Sequence, residues 1–301
     1  CENAMNEERA IGSYSVDEID AAYAMCRDFA ASHYENFPVI SWIFNAAQRR
    51  HLAAVYTFLR RADDVADEGT GTIEQRMHGL LWMQAALKAS EEGRAKDPMF
   101  AALSVTLQKG GIPRQWLDDV LSAFKVDLLK NRYTDEEQLM GYCRYSANPV
   151  GLIVLHILGY KYNSTMWEKM TPLSDAICSA LQLTNHWQDV FIDLQKNRLY
   201  IPLELMKECG YTEEDWKNKT VNPSFSKTMA VCLKKTRDLF DQGHALLGYL
   251  RFKDRKIIGM IWLSGLRVLM KMEKTGGDTL NHRPTIGLTD KFWILWRVLW
   301  I

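Results

Sequence analysis

The sequence predicts an all-α protein, and three observations predict it. Eight prolines in 301 residues leave proline-free stretches at 39–97, 114–148, 173–201 and 224–283, each long enough for one or more helices. The prolines at Asp97-Pro98, Ile112-Pro113, Thr171-Pro172 and Asn222-Pro223 sit where helices would begin. Between these points apolar residues recur every three or four positions, as in Leu117, Val120, Leu121, Phe124 and Leu128, and no hairpin signal interrupts them.

Taken in order, the first helix is expected over 15–32, opened by the capping pair Ser15…Glu18. Helices over 46–68 and 72–91 follow, the second opened by Thr72…Gln75. Those over 98–109 and 113–129 begin at their prolines. A helix over 134–158 opens on Thr134…Glu137 and should kink or break at Asn148-Pro149, because proline disfavours the helical conformation of the residue before it. The next runs over 172–196 from its proline, and 223–250, 254–275 and 289–300 complete the set, with short turns near 202–208 and 212–218. Residues 1–14 are expected to be a disordered or extraneous leader, with Met5 the natural start. No linker is long or polar enough to divide 15–301, so one domain is expected there.

Hydrophobic residues at 47% and charged residues at 25% are ordinary for a globular chain of this length. Lys+Arg 37 balances Asp+Glu 37, so no overall charge points to nucleic acid, and anion binding must come from local clusters. Six scattered cysteines without a CxxC pair read as free thiols in a reducing cytosol. The sequons at Asn163 and Asn218 then carry no glycan. No apolar run approaches the ~18 residues that span a bilayer. The segment FWILWRVLWI at 292–301 reads either as a core helix or as an interfacial membrane contact.

The strongest local pattern is RRADDVADEG. Asp63, Asp64 and Asp67 crowd one turn of a helix, with Arg60 and Tyr56 on the same stripe and Val55, Leu59, Ala62 and Ala66 opposite. Crowded carboxylates repel one another, and a divalent cation offsets that repulsion. Oxygen-only ligands favour Mg²⁺ or Ca²⁺ over zinc. A solvated acidic helix end would look the same. A second cluster, in LTNHWQDVFIDLQKNRLY, changes the balance: Asn185, Asp189 and Asp193 stack at intervals of four among Leu181, Trp187, Val190, Phe191 and Leu194, with Arg198 just beyond. Two such faces would hold several Mg²⁺ ions, whose natural ligand is a diphosphate, and Arg60 and Arg198 suit phosphate oxygens.

YTFLRRADDVAD, YCRYSANPVG and LQLTNHWQDVFIDLQKNRLYIP, in this order, resemble the three motifs of the squalene/phytoene synthase family. The resemblance implies a class I isoprenoid synthase fold, a single all-α domain around a central cavity, with Mg²⁺ and a prenyl diphosphate substrate. Within the family, HYENFPV, SANPVG and NHWQDV look most like the bacterial hydroxysqualene synthases of hopanoid pathways. Those enzymes convert presqualene diphosphate and water to hydroxysqualene and diphosphate. Their partners are a presqualene diphosphate synthase and a squalene-forming reductase.

The resemblance places metal ligation at Asp63, Asp64, Asp67, Asn185, Asp189 and Asp193. It places substrate contacts at His33, Asn36, Phe37, Tyr56, Arg60, Tyr145, Asn148, Gln188 and Arg198. Glu35 and Asn36 stand where condensing relatives commonly have a lysine and serine, and Gln188 where they have an arginine, so two cations are lost. Asn148-Pro149 replaces small residues, and Gly276-Gly277 a region where relatives often carry a tyrosine. His156 and His186 read as structural. Gly69-Thr70-Gly71 follows a helix rather than a strand, so no nicotinamide is implied. The rivals are a squalene, dehydrosqualene or phytoene synthase, and a non-catalytic assembly or lipid-binding member of the family.

Overall fold

Ser, Thr, Asp and Asn side chains cap the starts of several helices. The computed structural model describes residues 14–33, 44–67, 71–92, 94 and 97–301, and these are helical nearly throughout. The chain divides into two compact units, Cys1–Leu128 with Leu152–Tyr160, and Leu129–Gly151 with Lys161–Ile301.

In the first unit, Ser15 and Glu18 form the expected reciprocal box that opens α1 (Val16–Ser32). After α2 (Ala46–Asp67), Thr72 and Gln75 do the same for α3 (Ile73–Glu91). Asp97 caps α4 (Pro98–Gly110) with Pro98 in its first turn, and Pro113 precedes α5 (Arg114–Asp127). Met99 through Leu107 of α4 are all buried. A helix apolar on every side has to lie inside, and α1, α2 and α3 each pack on it. Phe58 and Phe100 meet edge to face at 5.9 Å. Thr106 Oγ1 ties three helices together, 3.0 Å from Tyr23 OH and 3.0 Å from His51 Nδ1.

The helix expected over 134–158 is two helices, α6 (Glu136–Ser146) and α7 (Asn148–Ile157). The break falls at Ala147, one residue ahead of Asn148-Pro149, and Pro149 occupies the first turn of α7, where a missing N–H costs least. The cap of α6 is Asp135, accepting from Gln138 N at 2.8 Å, rather than the expected Thr134. The dividing line between the two units falls within α7.

Pro172 does not start a helix. α8 (Thr165–Gln188) begins seven residues earlier, capped by Ser164, and carries Pro172 inside it. Pro172 is exposed, so water can satisfy the Glu168 carbonyl that loses its partner there. α9 (Val190–Gln195) follows after a single non-helical residue, Asp189. Then come α10 (Leu203–Cys209), α11 (Glu213–Lys217), α12 (Pro223–His244) with a 3₁₀ turn over Ala245–Tyr249, α13 (Phe252–Lys274) and α14 (Leu288–Val298). α8 and α12 pack together closely in this unit. A Cβ on Gly243 would stand 3.1 Å from both Ile177 N and Leu173 O, so any side chain there would push on backbone.

Among the described residues the only pairing of strand type is an isolated bridge between Arg132 and Leu199. Cys26, Cys143, Cys209 and Cys232 are buried and Cys178 is partly so; no disulfide joins any two of these five. Cys178 packs against Gly151, and burial pushes its pKa up to about 12. Among the described residues no helix is long and apolar enough to cross a membrane.

Candidate functional site

The first acidic cluster sits on the last turns of α2, in the first unit. Val55, Ala62 and Ala66 are buried along the opposite stripe, which leaves Arg60, Asp63, Asp64 and Asp67 half-buried on the outer one. Arg60 gathers the carboxylates, with Nη2 2.9 Å from Asp64 Oδ1 and Nη1 3.5 Å from Asp63 Oδ2. The Asp64 oxygen is buried yet outside hydrogen-bonding geometry, so it retains accepting capacity. Arg76 of α3 donates to the Ala66 carbonyl at 3.3 Å, a cation at the negative end of α2. His33 and Tyr56 also come together, edge to face at 6.4 Å, with His33 Nδ1 2.9 Å from the Phe29 carbonyl oxygen. Asn36 and Phe37, with Glu35, lie outside the described residues.

The second cluster is in the second unit and spans the junction of α8 and α9. Asp189 departs from helical geometry (φ −104°, ψ 17°), but the hydrogen-bond ladder continues through it. Asp189 N donates to Asn185 O at 2.9 Å and Asp193 N to Asp189 O at 2.8 Å, so the spacing of four survives the break. Asn185 is exposed; Asp189 and Asp193 are half-buried beside the buried Trp187 and Val190. Arg283 was not visible as a site residue in the sequence. Its Nε stands 2.5 Å and its Nη2 3.3 Å from the two oxygens of Asp189, although 94 residues separate them. A fork of this kind on a motif aspartate is the signal that locates it.

Arg198 leaves α9 through a tight turn in which Asn197 adopts a positive φ of 54°. Arg198 N donates to Asp193 O at 2.8 Å. Arg132 braces that turn, donating to Asn197 O at 2.7 Å, Asn197 Oδ1 at 2.9 Å and Glu213 Oε2 at 2.9 Å. Asp193, Arg198, His186, Tyr200 and Trp216 come together around one narrow crevice with no room for a water molecule. His186 stacks on Tyr200 at 3.6 Å. Burial, helped by the Arg198 charge, pushes its pKa down to about 3. The ring is therefore a neutral packing group. His156 is tied into the first unit, its Nε2 2.7 Å from Gly110 O.

The titration has a sign. With His186 protonating near 6.5 when unfolded and near 3 when folded, its contribution is whole above pH 6.5 and is lost as pH falls toward 3. His186→Phe should therefore flatten the acid limb of a stability–pH profile measured by urea unfolding. An unchanged slope between those limits would contradict this assignment.

Three other predicted residues have settled positions. Gln188 is buried and its amide donates to the Pro284 carbonyl. Asn148 is buried and accepts from Ser179 Oγ at 3.0 Å. Tyr145 is half-exposed on α6.

Among the described residues no three His, Cys, Asp or Glu side chains are gathered closely enough to hold a metal ion. Instead Arg60 and Arg283 stand against the carboxylates. The donor set nonetheless fits a hard divalent cation, since every candidate ligand offers oxygen and Asp64 Oδ1 still lacks a directed donor.

A family model described as squalene/phytoene synthase matches residues 30–290. The chain is 37% identical over 190 residues to a hydroxysqualene synthase of Sinorhizobium fredii, covering 63% of this chain and 62% of that protein. It is 34% identical over 213 residues to a hydroxysqualene synthase of Rhodopseudomonas palustris, covering 70% of each. The crystal structure of squalene synthase HpnC from Alicyclobacillus acidocaldarius superposes with a TM-score of 0.79 at 32% identity, over 89% of this chain and 98% of that one. A match over this span, on helices that carry both aspartate motifs, places the chain in the squalene/phytoene synthase family, with similarity to its hydroxysqualene branch.

Proposed function

We propose that the protein converts presqualene diphosphate and water to hydroxysqualene and diphosphate, and that it requires Mg²⁺. Gln188 carries this reading. Where condensing relatives hold an arginine, this chain buries a neutral amide against the Pro284 carbonyl, so that position has no charge to offer a second diphosphate. The names of the two bacterial relatives support the same choice.

Asp63, Asp64, Asp67, Asn185, Asp189 and Asp193 would hold the cation. Bound Mg²⁺ supplies positive charge that stabilises a departing diphosphate. Arg60 and Arg198 bind the diphosphate oxygens, for which a planar guanidinium is well shaped. The carbon–oxygen bond breaks with its electron pair remaining on the diphosphate. The rearranged carbon cation accepts a water oxygen, and that water's proton passes to solvent. A presqualene diphosphate synthase and a squalene-forming reductase are the partner activities this reaction needs.

The test is a product assay by mass spectrometry. With Mg²⁺ and presqualene diphosphate the protein should release hydroxysqualene without nicotinamide, and with farnesyl diphosphate alone it should form little product. Squalene, dehydrosqualene or a related hydrocarbon made directly from a prenyl diphosphate would overturn the proposal in favour of a condensing synthase. No turnover of either substrate would favour a non-catalytic member of the family.

A further inference from the structure

α14 is apolar on two sides. Its inner side, through Asp290, Ile294 and Val298, is buried, and Val298 approaches Gly259 of α13. Asp290 is neutralised there by Arg267 Nε at 2.7 Å and Lys271 Nζ at 2.6 Å. The outer side has no such cover. Leu288, Phe292, Leu295, Trp296, Leu299 and Trp300 are all exposed, Phe292 at 72% and Trp300 at 79%. At 100° per residue the first five fall within one quarter to one third of the helix circumference, and Trp300 continues the same edge.

Charge says what suits this face. The only acidic side chain of α14 points inward and is paired, whereas both basic side chains, Lys291 and Arg297, are exposed. On the helical wheel they flank the apolar stripe on opposite edges. Arg297 lies over the Trp293 ring at 5.7 Å. Lys256 of α13 pins the end of the helix, donating to Val298 O at 2.8 Å and Leu299 O at 2.9 Å, and it also lies 5.0 Å from the centre of the 72%-exposed Phe252 ring. The helix is thus fixed on α13 with an apolar strip outward, tryptophans along it and cations on both margins. Such a strip on a water-facing surface marks an interaction site rather than packing. Cations that flank an apolar strip let their stems lie on hydrocarbon while their charges reach headgroups.

We propose that the outer face of α14 docks on an anionic phospholipid surface, with the helix lying parallel to the bilayer plane. This rests on the surface alone and not on the reaction proposed above. A strip with both cations at its edges and no outward acid fits a negative lipid surface better than a second copy of itself, which would place like charges against like.

The test is flotation of the full chain with vesicles of phosphatidylcholine alone or with phosphatidylglycerol added. The protein should float with the anionic vesicles, more weakly with the neutral ones, and its tryptophan emission should shift to the blue on binding. Phe292→Glu with Leu299→Glu alters only exposed positions, so thermal unfolding should be unchanged while partitioning falls roughly tenfold or more. Lys291→Glu with Arg297→Glu should abolish the preference for phosphatidylglycerol and its sensitivity to salt. Equal flotation of the first variant and its parent, or no flotation and no emission shift for the parent, would overturn the proposal. A parent that is dimeric by light scattering, does not float, and becomes monomeric in the first variant would show that a second copy covers this face instead.

Discussion

Asp64→Asn and Asp189→Asn should each lower kcat by about 10³-fold or more while the fold stays intact. An amide keeps one oxygen donor but carries no charge to hold a divalent cation, and electrophilic stabilisation of a leaving group amounts to several kcal/mol, about three decades in rate. Stability should barely move. Asp64 shares Arg60 with Asp63, and the Asp189–Arg283 pair is partly exposed, so each loss is about 1 kcal/mol or less. Single-turnover kinetics with presqualene diphosphate, beside thermal unfolding followed by circular dichroism, measures both quantities. Near-parental turnover in either variant would remove that carboxylate from the metal-binding set.

Trp216→Ala should cost about 3–5 kcal/mol in urea unfolding, the range for deleting a large buried aromatic. Trp216 is fully buried in α11, a five-residue helix that depends on the Thr212–Asp215 capping box. Its indole nitrogen makes no hydrogen bond, so none is lost with it. Arg132 lies over its ring at 4.8 Å while bracing the Asn197 turn. The cavity left behind would therefore loosen the segment that carries Arg198, and the apparent affinity for inorganic diphosphate should fall as well. Trp216→Phe should recover most of the stability. A loss below about 1 kcal/mol in the alanine variant would mean that the segment is held by other contacts.

Much of this architecture is legible in the residues because its signals are local. Ser15 with Glu18, Thr72 with Gln75, and Asp97 before Pro98 each satisfy the free amides of a first turn within three or four positions. Pro172 misleads for a reason that is not local: whether an internal proline is tolerated depends on solvent reaching the Glu168 carbonyl, and that is decided by exposure. Thr134 and Asp135 are both competent caps one residue apart, and spacing alone does not choose between them. The carboxylates of the two motifs stand out by charge and periodicity. Their arginine partners divide by distance. Arg60 is one turn away and readable, whereas Arg283 reaches Asp189 only through the folded chain. Gln188 is readable as a missing cation, but its bond to Pro284 is again long-range.

The seclusion of the thiols has a practical corollary for chemical labelling. A cysteine reacts with maleimides through its thiolate, and a thiol held near pKa 12, as at Cys178, supplies almost none at neutral pH. Cys26 and Cys232 are pushed the same way by burial. Cys26, Cys178 and Cys232 should therefore give a quiet background against which one engineered thiol can be modified selectively. Placed at the exposed position of Leu295, such a thiol could carry a polarity-sensitive dye on the outer edge of α14 without first replacing Cys26, Cys178 or Cys232.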